Sequence, residues 1–425
     1  MRVTVIAIGS RGDVQPYVAL GEGLAEAGYT VRIATHEPFA PLLEGRGLEF
    51  FQVGEDPGEL FANERIHSML SAGTDALKFM REFRALLEPV TRKLVKDTVA
   101  ACSDADAIVL SNVGIIPGFH HVADALGAPY CTALLQPVLP TRAFPSPFMP
   151  RLPRWLPGRG LYNLASHHLF LRAFAHFFRH VIPMLREEHG LPPMSQRAIR
   201  RGARRANAPV LFGFSPSVIP RPRDWPDRAH VTGYWFLDAL ETWQPPERLR
   251  TFLAEGPAPV YVGFGSMVTR DPQQATAQVF EALKRTDQRG VLLTGSGAFV
   301  SEGLPDEVLA IESAPHDWLF PHMAAVVHHG GAGTTAAGLR SGVPSIVVPF
   351  FADQPHWART VHDLGVGPRP IPHKRLTADR LAATIERALT DEPMRAHAAD
   401  LGERIRAEDG VGRAVEIIRG HFGEA

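Results

Sequence analysis

Hydrophobic residues in this chain fall into short continuous runs, each followed by a glycine-containing turn and then by apolar positions at helical spacing. The first example is Val3 to Ile8, the turn Gly9-Ser10-Arg11-Gly12-Asp13, and an apolar helical stripe that ends before Gly28. Continuous apolar runs are typical of strands buried on both faces, and helices between them connect parallel strands. The runs predicted as strands in the first half are Val3 to Ile8, Thr30 to Thr35, Ala107 to Ser111, Pro129 to Leu134, Pro209 to Phe214 and His230 to Gly233. This pattern predicts an α/β fold with a doubly wound parallel sheet.

The same alternation restarts after Trp243 to Glu247, where two adjacent prolines interrupt the apolar pattern as a linker does. Asp271-Pro272 predicts the start of a helix, because aspartate caps and proline fits the first turn. The strands predicted in this half are Pro259 to Phe264, Val291 to Thr294, Val308 to Glu312, Ala324 to His328 and Ser345 to Val348. We therefore expect two Rossmann-like halves that form a cleft, with ligands at the carboxyl ends of their strands.

A proline-rich segment separates the predicted strands of the first half. Seven prolines lie between residues 137 and 157, a density that neither a helix nor a central strand tolerates. Either an ordered excursion or a mobile loop fits this composition. The aromatic and histidine-rich stretch from Leu161 to Leu185 follows and is predicted as one long helix.

Composition places the chain among ordinary globular proteins. Its 425 residues are 45% hydrophobic and 21% charged, which excludes a fibre or a disordered chain. The 44 basic and 45 acidic residues leave a net charge of −1, so we expect no nucleic-acid partner. Cys102 and Cys131 lack the spacing of a zinc or redox motif, which fits a reducing, cytoplasmic location. The opening apolar run is too short for a signal peptide or a membrane span and is predicted as a buried strand.

The strongest chemical signal is the glycine-rich turn from His328 to Thr335. A buried strand there ends in a turn that opens a helix, so backbone N–H groups and the positive end of the helix dipole converge. This arrangement suits a diphosphate, with Thr334 and Thr335 as additional hydroxyl donors. The turn lacks both the lysine of a P-loop and the spacing of a dinucleotide site. A tight strand-to-helix turn that needs glycines for its geometry alone is the alternative.

Two acidic positions also follow predicted strands. Asp13 is expected either to cap the following helix, as its N-cap, or to act as a chemical base. Asp353-Gln354 follows the strand that ends at Val348 and can either bind sugar hydroxyls or cap the next helix.

Three further patterns are more typical of structural roles. Asp104-Ala105-Asp106 resembles a metal-binding DxD motif, but it leads directly into an apolar strand, which favours a structural role for both aspartates. The pairs His120-His121 and His167-His168 lack carboxylate or cysteine partners at ligand spacing, so zinc is not expected.

The stretch from Arg151 to Arg205 is strongly basic. It contains eleven arginines and two acidic residues, interleaved with aromatic side chains. It can form an apolar acceptor surface, contact anionic lipid, or present a solvated basic face with aromatic residues in the core.

Taken together, the motifs resemble those of the UDP-glycosyltransferase superfamily, and within it those of sterol 3-beta-glucosyltransferases and bacterial natural-product glycosyltransferases. The matching segments occur in order along the whole chain. They are Gly9 to Tyr17, Phe214 to Ser217, His230 to Phe236, Gly263 to Met267, Pro315 to Phe320, His328 to Thr335 and Phe350 to Gln354.

The resemblance implies a GT-B fold, in which two Rossmann-like domains with doubly wound parallel sheets face a cleft. Residues 1–238 would bind the acceptor, 239–249 would form the linker, and 250–408 would bind the nucleotide sugar. Residues 409–425 would contain a last helix, around Arg413 to Arg419, that packs back on the first domain.

The resemblance also implies roles for individual residues. Asp13 would be the catalytic base, and Asp353 and Gln354 would hold the donor sugar. The residues expected near the donor diphosphate are Ser10, Gly12, Ser266, His329, Gly331, Gly333, Thr334 and Thr335. The base-stacking tryptophan and ribose-binding glutamate of the plant signature fall on Ser313 and Ala337, so base and ribose recognition is expected near Ser313, Ala314 and Pro315.

The implied reaction is an inverting, metal-independent transfer of glucose from UDP-glucose, with a dTDP-sugar as the alternative donor. The acceptor would be a bulky apolar alcohol such as a sterol or a polyketide, bound between Pro137 and Leu185. We expect no cofactor beyond the nucleotide-sugar co-substrate. We also expect peripheral contact with a membrane surface. A nucleotide-sugar epimerase on the same fold and a non-catalytic partner protein are the alternative functions.

Overall fold

A computed structural model describes residues 1–55, 76–111, 122–123, 126–153, 155–179, 181–188, 208–240, 242–265, 267, 271–295, 298–300 and 303–423. The chain divides into two compact units. Unit 1 comprises Met1–Phe214, Arg221–Trp235 and Asp409–Ala425. Unit 2 comprises Ser215–Pro220 and Phe236–Glu408.

Unit 1 contains a seven-stranded parallel sheet in the order β3-β2-β1-β4-β5-β6-β7. Its strands are β1 (Arg2–Ile6), β2 (Thr30–Thr35), β3 (Glu49–Gln52), β4 (Ala107–Leu110), β5 (Tyr130–Leu134), β6 (Val210–Phe212) and β7 (Ala229–Val231). All six strands predicted in this half are confirmed. The pattern did not predict β3, because this edge strand alternates between half-buried and exposed positions and contains no continuous apolar run.

Helices cover both faces of this sheet, as the continuous apolar strands require. The helices of this part are α1 (Arg11–Glu26), α2 (Ala76–Ala101), α3 (Arg159–Phe177) and α4 (Val181–Glu188), with a 3-10 segment at Glu37–Leu43. One core cluster joins Ile6 of β1 and Leu110 of β4 to Val95 of α2 and Val181 of α4.

The prediction of one long helix from Leu161 to Leu185 is wrong. Helix α3 ends with Phe178 as its C-cap, and α4 starts at Val181. Pro183 is the physical reason, because in a continuous helix its ring would clash with the carbonyl of Arg179 and remove one hydrogen bond. At the third position of a new helix, proline costs little.

Unit 2 contains a five-stranded parallel sheet in the order β10-β9-β8-β11-β12. Its strands are β8 (Val260–Gly263), β9 (Gly290–Leu293), β10 (Val308–Ile311), β11 (Ala325–His328) and β12 (Ser345–Val347), and they confirm the five predicted. Val262 packs into one core cluster and Tyr261 into the other, so this sheet is also buried on both faces.

The helices of unit 2 are α5 (Glu247–Ala254), α6 (Pro272–Arg285), α7 (His316–Leu319), α8 (Ala332–Ser341), α9 (Gln354–Asp363), α10 (Ala378–Thr390) and α11 (Glu392–Arg406), with 3-10 segments at Phe320–His322 and His373–Arg375. Asp271 caps α6 by accepting a hydrogen bond from the Gln274 N–H at 2.8 Å, as predicted. Over the residues placed by the structure, no helix is long and apolar enough to cross a membrane.

The last helix, α12 (Gly410–Phe422), belongs to unit 1 and packs against α1. A Cβ atom on Gly23 of α1 would lie 2.4 Å from a methyl carbon of Val411, so the glycine permits the close approach of the two helices. The Tyr29 hydroxyl donates a hydrogen bond to the Gly423 carbonyl at 2.5 Å, which ties down the end of α12.

Both sheets reverse their strand order at one point, and ligands of open parallel sheets bind at such points. In unit 1 the reversal lies between β1 and β4, beside the turn that follows β1. In unit 2 it lies between β8 and β11, beside the glycine-rich turn that follows β11. The fold therefore puts both predicted functional turns at the expected ligand-binding edge of their own sheet.

Candidate functional site

The turn after β1 is built around Asp13. Ser10 is the N-cap of α1, and Asp13 is the third residue of the helix. One carboxylate oxygen of Asp13, Oδ2, accepts hydrogen bonds from the Ser10 N–H at 3.1 Å and the Ser10 hydroxyl at 2.9 Å. The expectation that Asp13 is itself the N-cap is therefore wrong. Asp13 stabilises the helix start from inside the first turn, as the acidic member of a capping box.

Gly9 lets this turn close. Its φ is +136°, a conformation that favours glycine, and a Cβ atom there would lie 2.7 Å from Oδ2 of Asp13. Ser10 and Gly12 are exposed in the same turn, and Asp13 is half-buried. The carboxylate is thus held in a fixed position at the edge of the sheet.

His36 supports this turn and was not identified from the sequence. It directly follows β2, the strand next to β1, and its Nε2 accepts a hydrogen bond from the Gly9 N–H at 3.3 Å. The sequence does show a polar residue directly after a buried strand. However, only the strand order shows that the His36 side chain reaches the turn after β1.

The corresponding turn of unit 2 is organised by His328, the last residue of β11. Its side chain is fully buried, and Nδ1 accepts a hydrogen bond from the Gly330 N–H at 3.1 Å. Burial, helped by the nearby His329 and His316, lowers the pKa of His328 to about 3. The ring is therefore neutral at physiological pH, and it fixes the backbone of the glycine-rich turn.

His329 lies between two glycines. A Cβ atom on Gly265 would be 2.7 Å from its Cε1, and one on Gly331 would be 2.5 Å from its Nε2. Burial lowers the pKa of His329 to about 4, so this ring is also neutral at physiological pH. A neutral imidazole can donate one hydrogen bond to an anion without carrying a charge of its own.

Helix α8 begins directly after this turn, with Gly331 as its N-cap. The Thr335 N–H already donates to the Gly331 carbonyl at 2.9 Å, so the N–H groups of the preceding helical residues are those left without intrahelical acceptors. Gly333 and Thr334 are half-buried in this first turn, whereas Thr335 is fully buried. The structure thus presents Thr334 at the helix terminus and buries the Thr335 hydroxyl.

Asp353 and Gln354 lie where β12 leads into α9. Gln354 Oε1 accepts hydrogen bonds from the N–H groups of Phe350 at 2.7 Å and Phe351 at 3.2 Å. Its Nε2 donates to the sulfur of Met267 at 3.4 Å, which is a weak acceptor. Asp353 Oδ2 accepts from the Trp357 indole N–H at 3.0 Å. Both side chains are therefore oriented by contacts with their own unit.

The strand order of unit 2 brings the turn residues together. A Cβ atom on Gly330 would lie 3.2 Å from the Gln354 carbonyl oxygen, so the turns after β11 and β12 touch. Ser313, Ala314 and Pro315 follow β10 instead, with Ser313 exposed and the other two half-buried. Ser266, the remaining predicted diphosphate residue, lies outside the described residues.

The DxD pattern has a structural role. Asp104 forms ion pairs with Arg2 and Arg32, and Asp106 accepts a hydrogen bond from the Arg2 N–H at 2.6 Å. The hydrogen bond from Arg32 lowers the pKa of Asp104 below its usual range. In the part of the chain that the structure describes, no three histidine, cysteine or acidic side chains converge as a metal site would need.

Of the histidine pairs, His120-His121 lies outside the described residues. His167 is buried in α3, and its Nε2 lies 3.1 Å from the Phe144 carbonyl oxygen, a contact within unit 1. Its neighbour His168 is exposed.

The proline-rich segment is an ordered excursion packed on α3. Asn163 Nδ2 donates to the Arg142 carbonyl at 2.9 Å, and the Ser146 N–H donates to the Ser166 hydroxyl at 2.9 Å. Phe148 stacks on Phe170 at a ring-centroid distance of 4.4 Å. Polar and aromatic contacts together hold the segment against the helix.

Comparison with known proteins gives matches to both halves of the chain. Residues 3–145 match the family described as glycosyltransferase family 28 N-terminal domain. Residues 277–416 match the erythromycin biosynthesis protein CIII-like C-terminal domain.

Nearly the whole of this chain is similar to parts of longer plant and fungal enzymes. A sterol 3-beta-glucosyltransferase of Arabidopsis thaliana is 34% identical over 427 residues, which cover 99% of this chain and 68% of that protein. One of Neurospora crassa is 37% identical over 439 residues, covering 98% of this chain and 27% of that protein. The chain thus spans about a quarter to a third of the length of several fungal relatives that it matches.

Solved structures resemble the whole chain at low sequence identity. The calicheamicin glycosyltransferase has a TM-score of 0.69 at 17% identity and covers 100% of this chain and 99% of its own. The glycosyltransferase VinC in complex with dTDP has a TM-score of 0.65 at 21% identity, with 100% of each chain covered. These similarities show the fold, which is that of the GT-B glycosyltransferases.

Proposed function

Because the chain belongs to the UDP-glycosyltransferase superfamily, among the relatives of the sterol 3-beta-glucosyltransferases, we propose that it transfers glucose from UDP-glucose to the hydroxyl group of a sterol. The resemblance and the GT-B fold predicted from the sequence are both confirmed. Donor, acceptor and mechanism are the proposal, and residue contacts within each unit support them.

The main support for the proposal is the structure of the turn from His328 to Thr334. It combines a helix N-terminus, a neutral histidine donor and glycines that leave room for a close approach to the backbone. Helix N-termini favour anions, since their N–H groups lack partners and the helix dipole is positive there. We assign the diphosphate of the donor to this turn, with His329 and Thr334 as side-chain donors.

Asp353 and Gln354 are proposed to hold the glucose. Among the described residues, the acceptor for the Gln354 amide N–H is a thioether sulfur, so a sugar hydroxyl would be a better acceptor for it. Ser313 to Pro315 follow β10 at the same edge of the sheet and are proposed to recognise the nucleotide base through backbone groups.

Asp13 is proposed to be the catalytic base. A sterol hydroxyl is a poor nucleophile at neutral pH, and a carboxylate that takes its proton as the C–O bond forms increases the rate by about 10²- to 10⁴-fold. The hydroxyl oxygen would attack the anomeric carbon opposite the diphosphate and convert an α-linked donor into a β-glucoside. The proton would go to Asp13, and the bonding electrons to the departing UDP.

Charge that develops on the departing diphosphate would be stabilised by the α8 N-terminus, His329 and Thr334. Preorganised N–H donors of this kind are effective because they need not reorient during the reaction. We therefore propose that transfer does not require a divalent metal ion.

The acceptor is proposed to lie along the excursion from residue 137 to 157 and the adjoining helices. Half-buried phenylalanines, such as Phe148, Phe170 and Phe174, offer apolar surface there. Adding a tight-binding sterol should protect amides between residues 137 and 185 from hydrogen exchange, whereas protection confined to residues 260–360 would refute this placement.

The experiment that tests the function is UDP release in the presence of UDP-glucose and a panel of sterols. We expect UDP release that depends on the sterol and persists in excess EDTA, and we expect dTDP-glucose to release dTDP more slowly. An epimerase would convert the donor without any sterol, and a non-catalytic partner protein would bind nucleotide without releasing product. Loss of activity in EDTA that magnesium or manganese restores would contradict metal independence.

A further inference from the structure

Helix α3 differs from an ordinary surface helix in that its fully buried side chains are polar while two of its leucines are exposed. Its buried residues are polar, namely Asn163, Ser166 and His167. Its exposed residues follow one another at helical spacing along a single face: Leu161, Ala165, His168, Leu169, Arg172, Ala173 and His176. An ordinary surface helix exposes charged residues and buries apolar ones.

The buried polar groups have a structural explanation. Asn163, Ser166 and His167 make hydrogen bonds with Arg142, Ser146 and Phe144 of the proline-rich excursion. Those contacts account for the inner face of α3 but not for the outer one, since nothing in them requires leucine on the exposed side.

The exposure of this face is unusual within the molecule. Leu161 is 65% exposed, Leu169 is 59% exposed, and Trp155, six residues before Leu161, is 80% exposed. They account for three of the six large hydrophobic side chains that are exposed in the described part of the chain. Tryptophan and leucine beside basic residues are typical of segments that lie at a membrane interface.

The sequence segment that contains these residues is basic. The sequence contains no aspartate or glutamate from residue 125 to residue 186, while Arg142, Arg172 and Arg179 are exposed. Two acidic residues from outside the segment need to be considered. Asp224 accepts hydrogen bonds from Thr141 and from the Arg142 N–H, and Glu187 lies 3.6 Å from Arg92. Exposed positive charge beside an apolar face is complementary to anionic lipid headgroups.

We propose that Trp155 and the exposed residues of α3, together called the α3 face, form a docking surface for an anionic lipid bilayer. Trp155, Leu161 and Leu169 insert among the upper acyl chains, while Arg172 and Arg179 contact lipid phosphates. A helix that lies in the interface in this way need not be long enough to span the bilayer. The proposal goes beyond the glucosyl transfer proposed above and is tested by binding alone.

The first experiment is sedimentation of the full chain with phosphatidylcholine vesicles, with and without phosphatidylserine. We expect binding that needs phosphatidylserine and weakens as salt is added. Combining Trp155→Ser, Leu161→Gln and Leu169→Gln should weaken binding by about tenfold or more. Leu240→Gln, which removes an exposed leucine of unit 2, is the matched control and should bind as the wild type does.

A second measurement locates the contact. Lipids brominated along the acyl chain should quench part of the tryptophan fluorescence of the wild type, and Trp155→Leu should remove that quenching while binding persists. The proposal is overturned if the triple variant binds vesicles as well as the wild type. It is also overturned if the triple substitution changes only self-association, since the α3 face would then be an interface between copies.

Discussion

At the scale of single residues, Asp13 combines a structural contact with a proposed chemical role. Its Oδ2 accepts two hydrogen bonds from Ser10, which fixes the start of α1 and orients the carboxylate. Substitution by asparagine distinguishes the two roles. Its amide oxygen can accept the same hydrogen bonds but cannot take a proton at neutral pH.

Asp13→Asn should therefore fold normally and lose turnover. We expect its free energy of unfolding to stay within about 1 kcal/mol of the wild type, since only the interaction of the negative charge with the helix dipole is lost, and its turnover to fall by about 10²- to 10⁴-fold. Asp13→Ala is the matched comparison, since it should lose the turnover and also about 1–3 kcal/mol of stability with the two hydrogen bonds from Ser10. Turnover within about threefold of the wild type in a folded Asp13→Asn protein would show that the base lies elsewhere.

His328 predicts a pH dependence of stability. Its pKa is about 3 in the folded protein, chiefly because of burial, against an ordinary value of 6.5. As the pH falls below 6.5, the unfolded chain gains a proton at this residue that the folded chain does not. The free energy of unfolding should thus decrease by about 1.4 kcal/mol per pH unit from this residue.

The measurement is urea unfolding of the wild type and of His328→Gln at pH 7, 6 and 5. Stability of the wild type should fall more steeply with decreasing pH than that of the variant, whose glutamine does not titrate. Parallel pH profiles for the two proteins would contradict the assignment.

The sequence selected candidate site residues where one turn contained the whole signal. Asp13 and His329 stand in glycine-rich turns after apolar strands, so the pattern selects these turns, and the resemblance supplies the roles proposed for the two residues. His36 was missed because its contact with Gly9 depends on β2 lying next to β1. The burial of Thr335 could likewise not be predicted from the sequence, because the direction of side chains in the first turns of α8 depends on packing.

At the scale of secondary-structure elements, the turn between β11 and α8 is close-packed around His329. Gly331 has an ordinary φ of −62°, so an alanine there would meet no backbone strain. Its Cβ would nevertheless lie 2.5 Å from Nε2 of His329, and the ring would have to move.

Gly331→Ala should accordingly weaken UDP binding by about tenfold, or ~1.4 kcal/mol, while the protein stays folded. Gly420→Ala is the matched control, because a Cβ at Gly420 would meet no atom within 4 Å. Calorimetric titration with UDP would measure both. An unchanged Kd for UDP in Gly331→Ala would show that this turn is not part of the donor-binding site.

Element boundaries were predictable where local chemistry decides them. Asp271 starts α6 as the sequence predicted, since a cap needs only the next few residues. The break between α3 and α4 was missed because the apolar and aromatic pattern continues through Pro183 and masks the proline signal.

At the scale of the whole molecule, unit 1 is built from three separate stretches of the chain, and α12 closes it. Gly410, the first residue of α12, lies so close to the preceding stretch that a Cβ there would be 2.2 Å from the Tyr234 carbonyl oxygen. The Tyr234 backbone cannot move away from an added Cβ atom as easily as a flexible side chain could.

Gly410→Ala should therefore destabilise unit 1 by about 1–3 kcal/mol. A lower Tm by calorimetry than in the Gly420→Ala control is the expected result. Equal melting temperatures for the two variants would contradict the packing of α12 described above.

The two sheets were predictable from the sequence because strands buried on both faces leave continuous apolar runs. The edge strand β3 was not, since only one neighbour pairs with it and half of its side chains are exposed. The return of α12 to unit 1 was predicted by the resemblance alone, because helix periodicity does not specify which unit a helix packs against.

The central proposal is that this chain transfers glucose to sterols. The most direct test incubates the wild-type protein with UDP-glucose and a sterol, then identifies the product by mass spectrometry and its anomeric configuration by proton NMR. We predict a sterol monoglucoside with the β configuration, formed far more slowly by Asp13→Asn. An α-glucoside, or UDP release without any glucosylated sterol, would contradict the account.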